Sequence, residues 1–149
     1  MTVIMAVLGA LLLASAAGAA EVVNVSLAAN VSEREPVGPF APAAACQTST
    51  PPAYRVPVVD SQAFHDVYLW TKIAAAQTRE IRHRYYKESA GEFAMTADVV
   101  LSVDPSAGYR TWSSKSILRS LMHKGMWKVD VVEVGDAERV LCSVFFNVE

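Results

Sequence analysis

The chain has 149 residues, of which 52% are apolar and 19% are charged, and its formal net charge is −2. This composition excludes a disordered chain, which would be poor in apolar residues, and a nucleic-acid-binding domain, which would carry a basic patch. The length allows one ordinary domain with a short appendage. No internal repeat with a period of about 20–50 residues is present, which excludes a solenoid.

The first 20 residues carry no charged side chain and have the pattern of an export signal. Residues 3–13 are an apolar run of signal-peptide length, and small residues follow them. Signal peptidases require small side chains one and three positions before the cut, and the bonds after Ala19 and after Ala20 both meet this requirement. We therefore predict a signal peptide over residues 1–20 and a periplasmic location. The alternative is an uncleaved anchor on the periplasmic face of the inner membrane, for which the apolar run is slightly short.

The two cysteines, Cys46 and Cys142, stand 96 positions apart. An exported chain matures where disulfides persist, so the two can pair. Cys142 lies in an apolar strand pattern and can equally pack as a small apolar residue, and the sequence leaves both possibilities open. The histidines and cysteines lack the spacing of a metal site, so we expect neither a metal nor another cofactor.

Alternation of apolar and polar residues predicts several strands. Residues 92–103 show the clearest alternation. Residues 127–134 and 139–148 are predicted to form a hairpin. Upstream, residues 67–73 and 80–87 are predicted to pair with each other.

The remaining segments complete the predicted fold. Residues 21–31 are expected to form an edge strand and residues 109–113 a further short strand. Six prolines between residues 35 and 58 favour an extended surface connection. About six to eight short strands without a long helix predict an antiparallel β-sandwich, immunoglobulin-like in general plan, and a small barrel is the alternative. The predicted units are the signal or anchor at 1–20, an N-terminal strand with its Pro/Ala-rich connection at 21–58, and the sandwich core at 59–149.

Five sequence words stand out in this order: EREPVG (33–38), VYLWTKI (67–73), HRYY (83–86), YRTWSSK (109–115) and GMWKVDVV (125–132). Together they resemble DUF2914, a bacterial family of unknown function, over nearly all of the chain that follows the signal. The resemblance implies an exported or membrane-attached bacterial β-domain. It implies no reaction and no catalytic residue.

The word RTWSSK is the densest polar segment, and it contains Arg110, Ser114 and Lys115. In a functional interpretation, the guanidinium and the serine hydroxyls bind an anion or a carboxylate. In the structural interpretation, which we favour, Arg110 pairs with an acidic strand neighbour such as Asp98 or Asp130, and the serines satisfy backbone groups. A serine nucleophile would need a base and an orienting acid, and no such pattern is present, so we expect no catalysis.

The tryptophans suggest a second kind of site. Trp127 shares its strand face with valines and is predicted to lie in the core, whereas Trp70 opposes Leu69 and is predicted to be exposed. We therefore expect a non-catalytic module that binds another envelope protein through a sheet face, an edge strand or residues 35–58. The alternative is a small-ligand or carbohydrate-binding module that uses Trp70, Trp112 and Arg110. Neither interpretation involves nucleic acid, and we expect membrane contact only if the N-terminal segment is retained.

Overall fold

The part of the chain that the structure describes contains nine strands, in most of which buried and more exposed residues alternate. The structure is a computed structural model that describes residues 19–47, 55–117 and 121–149. Most of the predicted signal, residues 1–18, lies outside the described residues. The strands are β1 (Glu21–Ser32), β2 (Glu35–Pro39), β3 (Val58–Val59), β4 (Asp66–Ala75), β5 (Arg79–Ser89), β6 (Glu92–Val103), β7 (Ser106–Ser116), β8 (Gly125–Val134) and β9 (Glu138–Val148), and one 3₁₀ turn covers Leu121–His123.

The nine strands form two sheets, with orders β2-β1-β4-β7 and β3-β9-β8-β5-β6. All pairs are antiparallel except that of β3 with β9. The all-β prediction and the antiparallel sandwich are therefore confirmed, with one strand more than the expected range. Because the strands form two separate sheets, the small barrel is excluded.

The core lies between the inner faces of the two sheets. Trp127 is 1% exposed and belongs to this core, as its strand parity predicted. Each fully buried side chain of this size contributes about 1.5–3 kcal/mol of hydrophobic stabilisation. The largest buried apolar side chains of the described residues include Leu27, Leu69, Ile73, Ile81, Tyr85, Ile117, Trp127 and Phe146.

The predicted pairing of residues 67–73 with 80–87 is wrong. β4 pairs with β1 and β7 in one sheet, whereas β5 pairs with β6 and β8 in the other. The short link between β4 and β5 therefore crosses from one sheet to the other. A period of two identifies the buried face of a strand, and it does not identify the sheet that the strand joins. The predicted hairpin of residues 127–134 with 139–148 is confirmed as β8–β9.

The N-terminal region also differs from the expectation. β1 is an inner strand rather than an edge strand, because β2 pairs along its outer side. Part of the predicted proline-rich connection is therefore strand. Pro36 and Pro39 lie on β2 at the edge of the sheet, where a missing N–H donor disrupts no ladder.

A disulfide joins Cys46 to Cys142 of β9. Next to it, the backbone of Gln47 exchanges two hydrogen bonds with Ser143, at 2.7 and 3.2 Å. Farther along the same side, β3 pairs with the end of β9. The outer side of β9 is thus covered by segments that precede β4 in the chain.

Candidate functional site

The tip of the β1–β2 hairpin reaches across the first sheet. Its two turn residues, Glu33 and Arg34, have left-handed φ angles of 51° and 64°, as in a type I′ turn. The indole Nε1 of Trp70 on β4 donates a hydrogen bond to the Arg34 carbonyl at 2.9 Å. The Arg34 guanidinium donates to the carbonyl of Arg110 on β7 at 3.2 Å. Because β4 lies between β1 and β7, the hairpin tip must lie over the outer face of β4.

The hairpin tip and β7 enclose an open groove of about 280 Å³. The Arg34 guanidinium stands over the Tyr109 ring at 5.4 Å from its centroid. Arg110 forms an ion pair with Glu35 of β2. The residues that line the groove are Arg34, Tyr109, Arg110, Thr111 and Trp112. Two guanidinium groups beside a partly exposed indole are suited to a ligand that combines a carboxylate with a flat apolar surface.

The predicted exposure of Trp70 is wrong. Its side chain is 3% exposed, because the hairpin tip covers it and accepts its indole hydrogen bond. Its register partner on β7 is Trp112, which is 36% exposed and lines the groove. Of the two tryptophans proposed for ligand binding, only Trp112 therefore presents its ring to solvent.

The structure divides the word RTWSSK between the two faces of β7. Arg110 is paired with Glu35, and not with Asp98 or Asp130, which lie in the other sheet. Ser114 shares the outer face with Arg110, is exposed and stands in register with Tyr68. The remaining predicted residue, Lys115, is half-buried on the opposite face, with its Nζ 5.8 Å from the Trp127 ring centroid. Ser114 and Lys115 therefore do not line the groove.

Ser113, which stands between these residues in sequence, belongs to a buried polar network. Its Oγ lies 2.6 Å from Nδ1 of His83 and 2.7 Å from the Tyr85 hydroxyl. Both partners are on β5, so Ser113 joins the two sheets through side chains and does not satisfy the backbone groups that we expected. All three residues are buried.

Burial keeps the network uncharged near neutral pH. It lowers the pKa of His83 to about 3, because the imidazolium would lose its hydration inside the sandwich. Burial also raises the pKa of Tyr85, and the Ser113 hydrogen bond opposes this shift. The serine and the imidazole contact each other, and the two residues are 5% and 0% exposed.

Arg34 and Tyr109 were not predicted as site residues. Arg34 stands in the word EREPVG, which the sequence marks only as part of a family resemblance. Two adjacent polar residues between apolar strand segments are typical of a hairpin tip, so the turn could have been found. The contact of Arg34 with β7 could not have been predicted, because no local pattern specifies how a hairpin bends over its own sheet.

Within residues 19–47, 55–117 and 121–149, no group of three or more His, Cys, Asp or Glu side chains could hold a metal ion. In the same residues, no helix is long and apolar enough to cross a membrane.

Residues 78–148 match the family model described as "Protein of unknown function (DUF2914)". This match supports the suspected DUF2914 family over this part of the chain. The match covers β5 to β9 and contains the words at 83–86, 109–115 and 125–132. The words at 33–38 and 67–73 lie outside the matched residues, so the match is narrower than the resemblance. No curated protein matches the chain.

The groove combines residues from inside and outside the DUF2914 match. Tyr109, Arg110, Thr111 and Trp112 lie inside it, whereas Arg34 precedes it by more than 40 residues in the chain. A ligand in this groove would therefore contact both the family domain and the N-terminal hairpin.

Proposed function

We propose that this protein is a non-catalytic, exported envelope domain that acts as an interaction module for another envelope protein. In this proposal, an extended segment of the partner adds to the second sheet as a strand beside β6 (Glu92–Val103). The observation that carries the proposal is the open edge of β6, which spans 12 residues and pairs on one side only among the described strands. Such an edge presents a row of unpaired N–H and C=O groups, for which another strand is the matching partner.

The other sheet edges are less suited to strand addition. On the far side of the sandwich, β2 has five residues, two of them prolines, and β3 has two residues. Natural edge strands are usually protected by shortness, prolines or positive charge. Between Glu92 and Val103 there is no proline, lysine or arginine.

Side-chain exposure favours β6 over β7, which is the long edge of the first sheet. β6 exposes Met95 at 56% and Val100 at 55%. The exposed side chains of β7 are mostly small or polar, apart from Trp112 in the groove. Two exposed apolar residues on one edge strand provide contact area and side-chain specificity for a bound segment.

The test is recovery of the partner by crosslinking in the envelope of cells that produce the tagged full-length chain. We expect one stoichiometric partner with the wild type. The double variant Met95→Lys/Val100→Lys should reduce its recovery at least about tenfold, because charged edge side chains oppose strand pairing. Val23→Lys is the matched control, because Val23 is 52% exposed but lies on β1 in the other sheet.

The two variants distinguish edge binding from a general effect of added charge. Equal recovery with both variants, or equal loss with both, would contradict binding at β6. A wild-type chain that is recovered without any partner would contradict the interaction module itself. Circular dichroism of each variant establishes that the sheets remain folded.

A second candidate function, binding of a carboxylated sugar, is supported by the groove at Arg34, Arg110 and Trp112. The indole can stack on a sugar ring, and a guanidinium can bind a carboxylate bidentately. The probe is a hexuronic acid titrated into the full chain by calorimetry, with the neutral hexose as the ligand control. Trp112→Ala should abolish the binding, whereas Val140→Ala, at another exposed position, should not. Absence of binding at about 1 mM uronic acid would exclude this function.

A further inference from the structure

Ala20 is the first buried residue of the part of the chain that the structure describes. Ala19 is exposed, whereas Ala20 is 3% exposed and packs in the cluster of buried side chains between the sheets. β1 starts at the next residue, Glu21. The boundary between the outside of the fold and its core therefore lies at the peptide bond between Ala19 and Ala20.

Both backbone groups of Ala20 are held by side chains of the second sheet. Its N–H donates to Oε2 of Glu133 at 2.8 Å, and its carbonyl accepts from the guanidinium of Arg139 at 3.2 Å. The Glu133 side chain is 13% exposed, and Arg79 and Arg139 stand 3.7 and 3.5 Å from its oxygens. Ala20 thus has a defined site formed by residues more than 110 positions away in the sequence.

The sequence allows cleavage after Ala19 or after Ala20, and the two cuts have different effects on the contacts of Ala20. A cut after Ala20 removes a buried methyl group and both hydrogen bonds, including the donor that lies 2.8 Å from the Glu133 carboxylate. A cut after Ala19 keeps all of these contacts. It also converts the Ala20 amide into an ammonium group directly beside a carboxylate.

We infer that the mature chain begins at Ala20 and that Glu133 binds its terminal ammonium group. The inference rests on the export in the proposed function, because a signal peptidase has to cut the chain. Hydrolysis of the Ala19–Ala20 bond consumes one water molecule, which leaves a carboxylate on Ala19 and, after protonation, an ammonium on Ala20. Arg79 and Arg139 already share the carboxylate, and the Ala20 nitrogen that would become the ammonium lies 2.8 Å from its Oε2.

Intact-mass measurement of the full-length chain exported by a bacterial host tests the inference. The expected mass is that of a chain starting at Ala20. A mass lower by one alanine residue, a start at any other position, or an uncleaved chain would overturn it. An uncleaved chain would also contradict the proposed export, whereas a start at Glu21 would contradict only this inference, and partner recovery tests the interaction separately.

Matched signal variants separate the two cuts. Gly18→Leu blocks only the cut after Ala20, so the start should remain at Ala20. Ala17→Leu blocks only the cut after Ala19, so processing should fail or move to Glu21. Equal effects of the two variants on the mature mass would overturn the inference.

The role of Glu133 is tested on the exported chain by thermal unfolding. Glu133→Gln should lower the melting temperature by several degrees, because the ammonium group loses its charged acceptor. Chemical acetylation of the terminal amine should lower the melting temperature of the wild type but not that of Glu133→Gln. Glu92→Gln, at an exposed position of β6, is the control and should respond to acetylation as the wild type does. An equal response in all three chains would overturn the assigned ion pair.

Discussion

At the scale of single residues, the buried network determines one tautomer of His83. The Thr71 hydroxyl donates to the Thr111 carbonyl at 3.2 Å, so it can only accept from Nε2 of His83, at 3.4 Å. Nε2 therefore carries the hydrogen, and Nδ1 accepts from the Ser113 hydroxyl at 2.6 Å. The Tyr85 hydroxyl then donates to Ser113. The neutral imidazole satisfies both of its nitrogens, and the network needs no charge.

This network predicts that acid destabilises the protein. The pKa of His83 is about 3 in the folded chain and about 6.5 in the unfolded chain, so the unfolded state binds an additional proton between these values. The stabilisation is complete above about pH 6.5 and decreases as the pH falls towards 3. Between pH 7 and 4.5 we expect the free energy of unfolding to fall by about 2–3 kcal/mol from this residue. Urea unfolding at the two pH values measures the change.

Two histidine variants provide the comparison for the acid effect. His83→Gln removes the titrating group, so its free energy of unfolding should depend less on pH, although it will be lower at pH 7. His65→Gln replaces an exposed imidazole and should keep the wild-type dependence. A wild-type slope in His83→Gln would show that other groups cause the acid sensitivity.

The two tryptophans of the β4–β7 pair should differ strongly in their effect on stability. Trp70→Ala should cost about 3–5 kcal/mol, because it opens a cavity under the hairpin tip and removes the hydrogen bond to Arg34. Trp112→Ala should cost less than about 1 kcal/mol, because the side chain is 36% exposed. Denaturant unfolding of the two variants measures both values. Equal costs would mean that the hairpin tip does not cover Trp70.

The difference between Trp127 and Trp70 shows how far single positions can be predicted. Trp127 alternates with valines, so its face is evident from its own strand. Trp70 was assigned to the outer face, which is correct, but it is covered by Arg34, 36 positions earlier in the chain. Local periodicity describes the two faces of a strand and contains no information on what a distant segment places over them.

At the scale of elements, the β5–β6 hairpin depends on a two-residue turn. Ala90 and Gly91 connect the paired residues Ser89 and Glu92, with φ angles of 53° and 81°. A Cβ atom at Gly91 would meet nothing within 4 Å, so any cost of Gly91→Ala is conformational. We expect a loss of about 1 kcal/mol in the free energy of unfolding.

Gly135 is the matched control for this turn. It begins the β8–β9 turn, its φ lies outside the left-handed region, and a Cβ atom there would make only an ordinary contact. Gly135→Ala should therefore change the free energy of unfolding by less than about 0.5 kcal/mol. If both alanine variants cost the same, the left-handed angle at Gly91 would not be the cause of the loss.

The pairing of consecutive strands could be predicted where they form a hairpin, and it could not where the link between them crosses from one sheet to the other. The β8–β9 hairpin follows from two alternating segments separated by a few turn residues. β4 and β5 have the same local appearance, yet their link crosses between sheets, and only the packed core determines this. The same limit explains β2, which lies in a proline-rich segment and became a strand because a sheet edge tolerates proline.

At the scale of the whole molecule, the sheet edges on the two sides of the sandwich differ in how far other segments cover them. On one side, Gln47, β3 and the Cys46–Cys142 disulfide cover the outer side of β9. On the other side, β6 and β7 end their sheets as long strands. The antiparallel sandwich could be predicted from strand number and spacing. That β6 and β7 form the sheet edges could not be predicted, because strand order follows from contacts between distant segments.

At the same scale, the disulfide should contribute strongly to the stability of the molecule. It links positions 96 residues apart, and closing a loop of this length restricts the unfolded chain by up to about 4–5 kcal/mol. We expect Cys46→Ala/Cys142→Ala to lower the free energy of unfolding by about 2–5 kcal/mol in denaturant unfolding under oxidising conditions. A reducing agent should lower the wild type to the level of the double variant and leave the double variant unchanged. A reductant effect of equal size in both proteins would show that the loss does not come from this disulfide.

The disulfide also holds the segment that covers the outer side of β9, so reduction should expose a second sheet edge. The amide hydrogen of Ser143, which is bonded to Gln47, should then exchange faster, whereas exchange in β6 should stay unchanged.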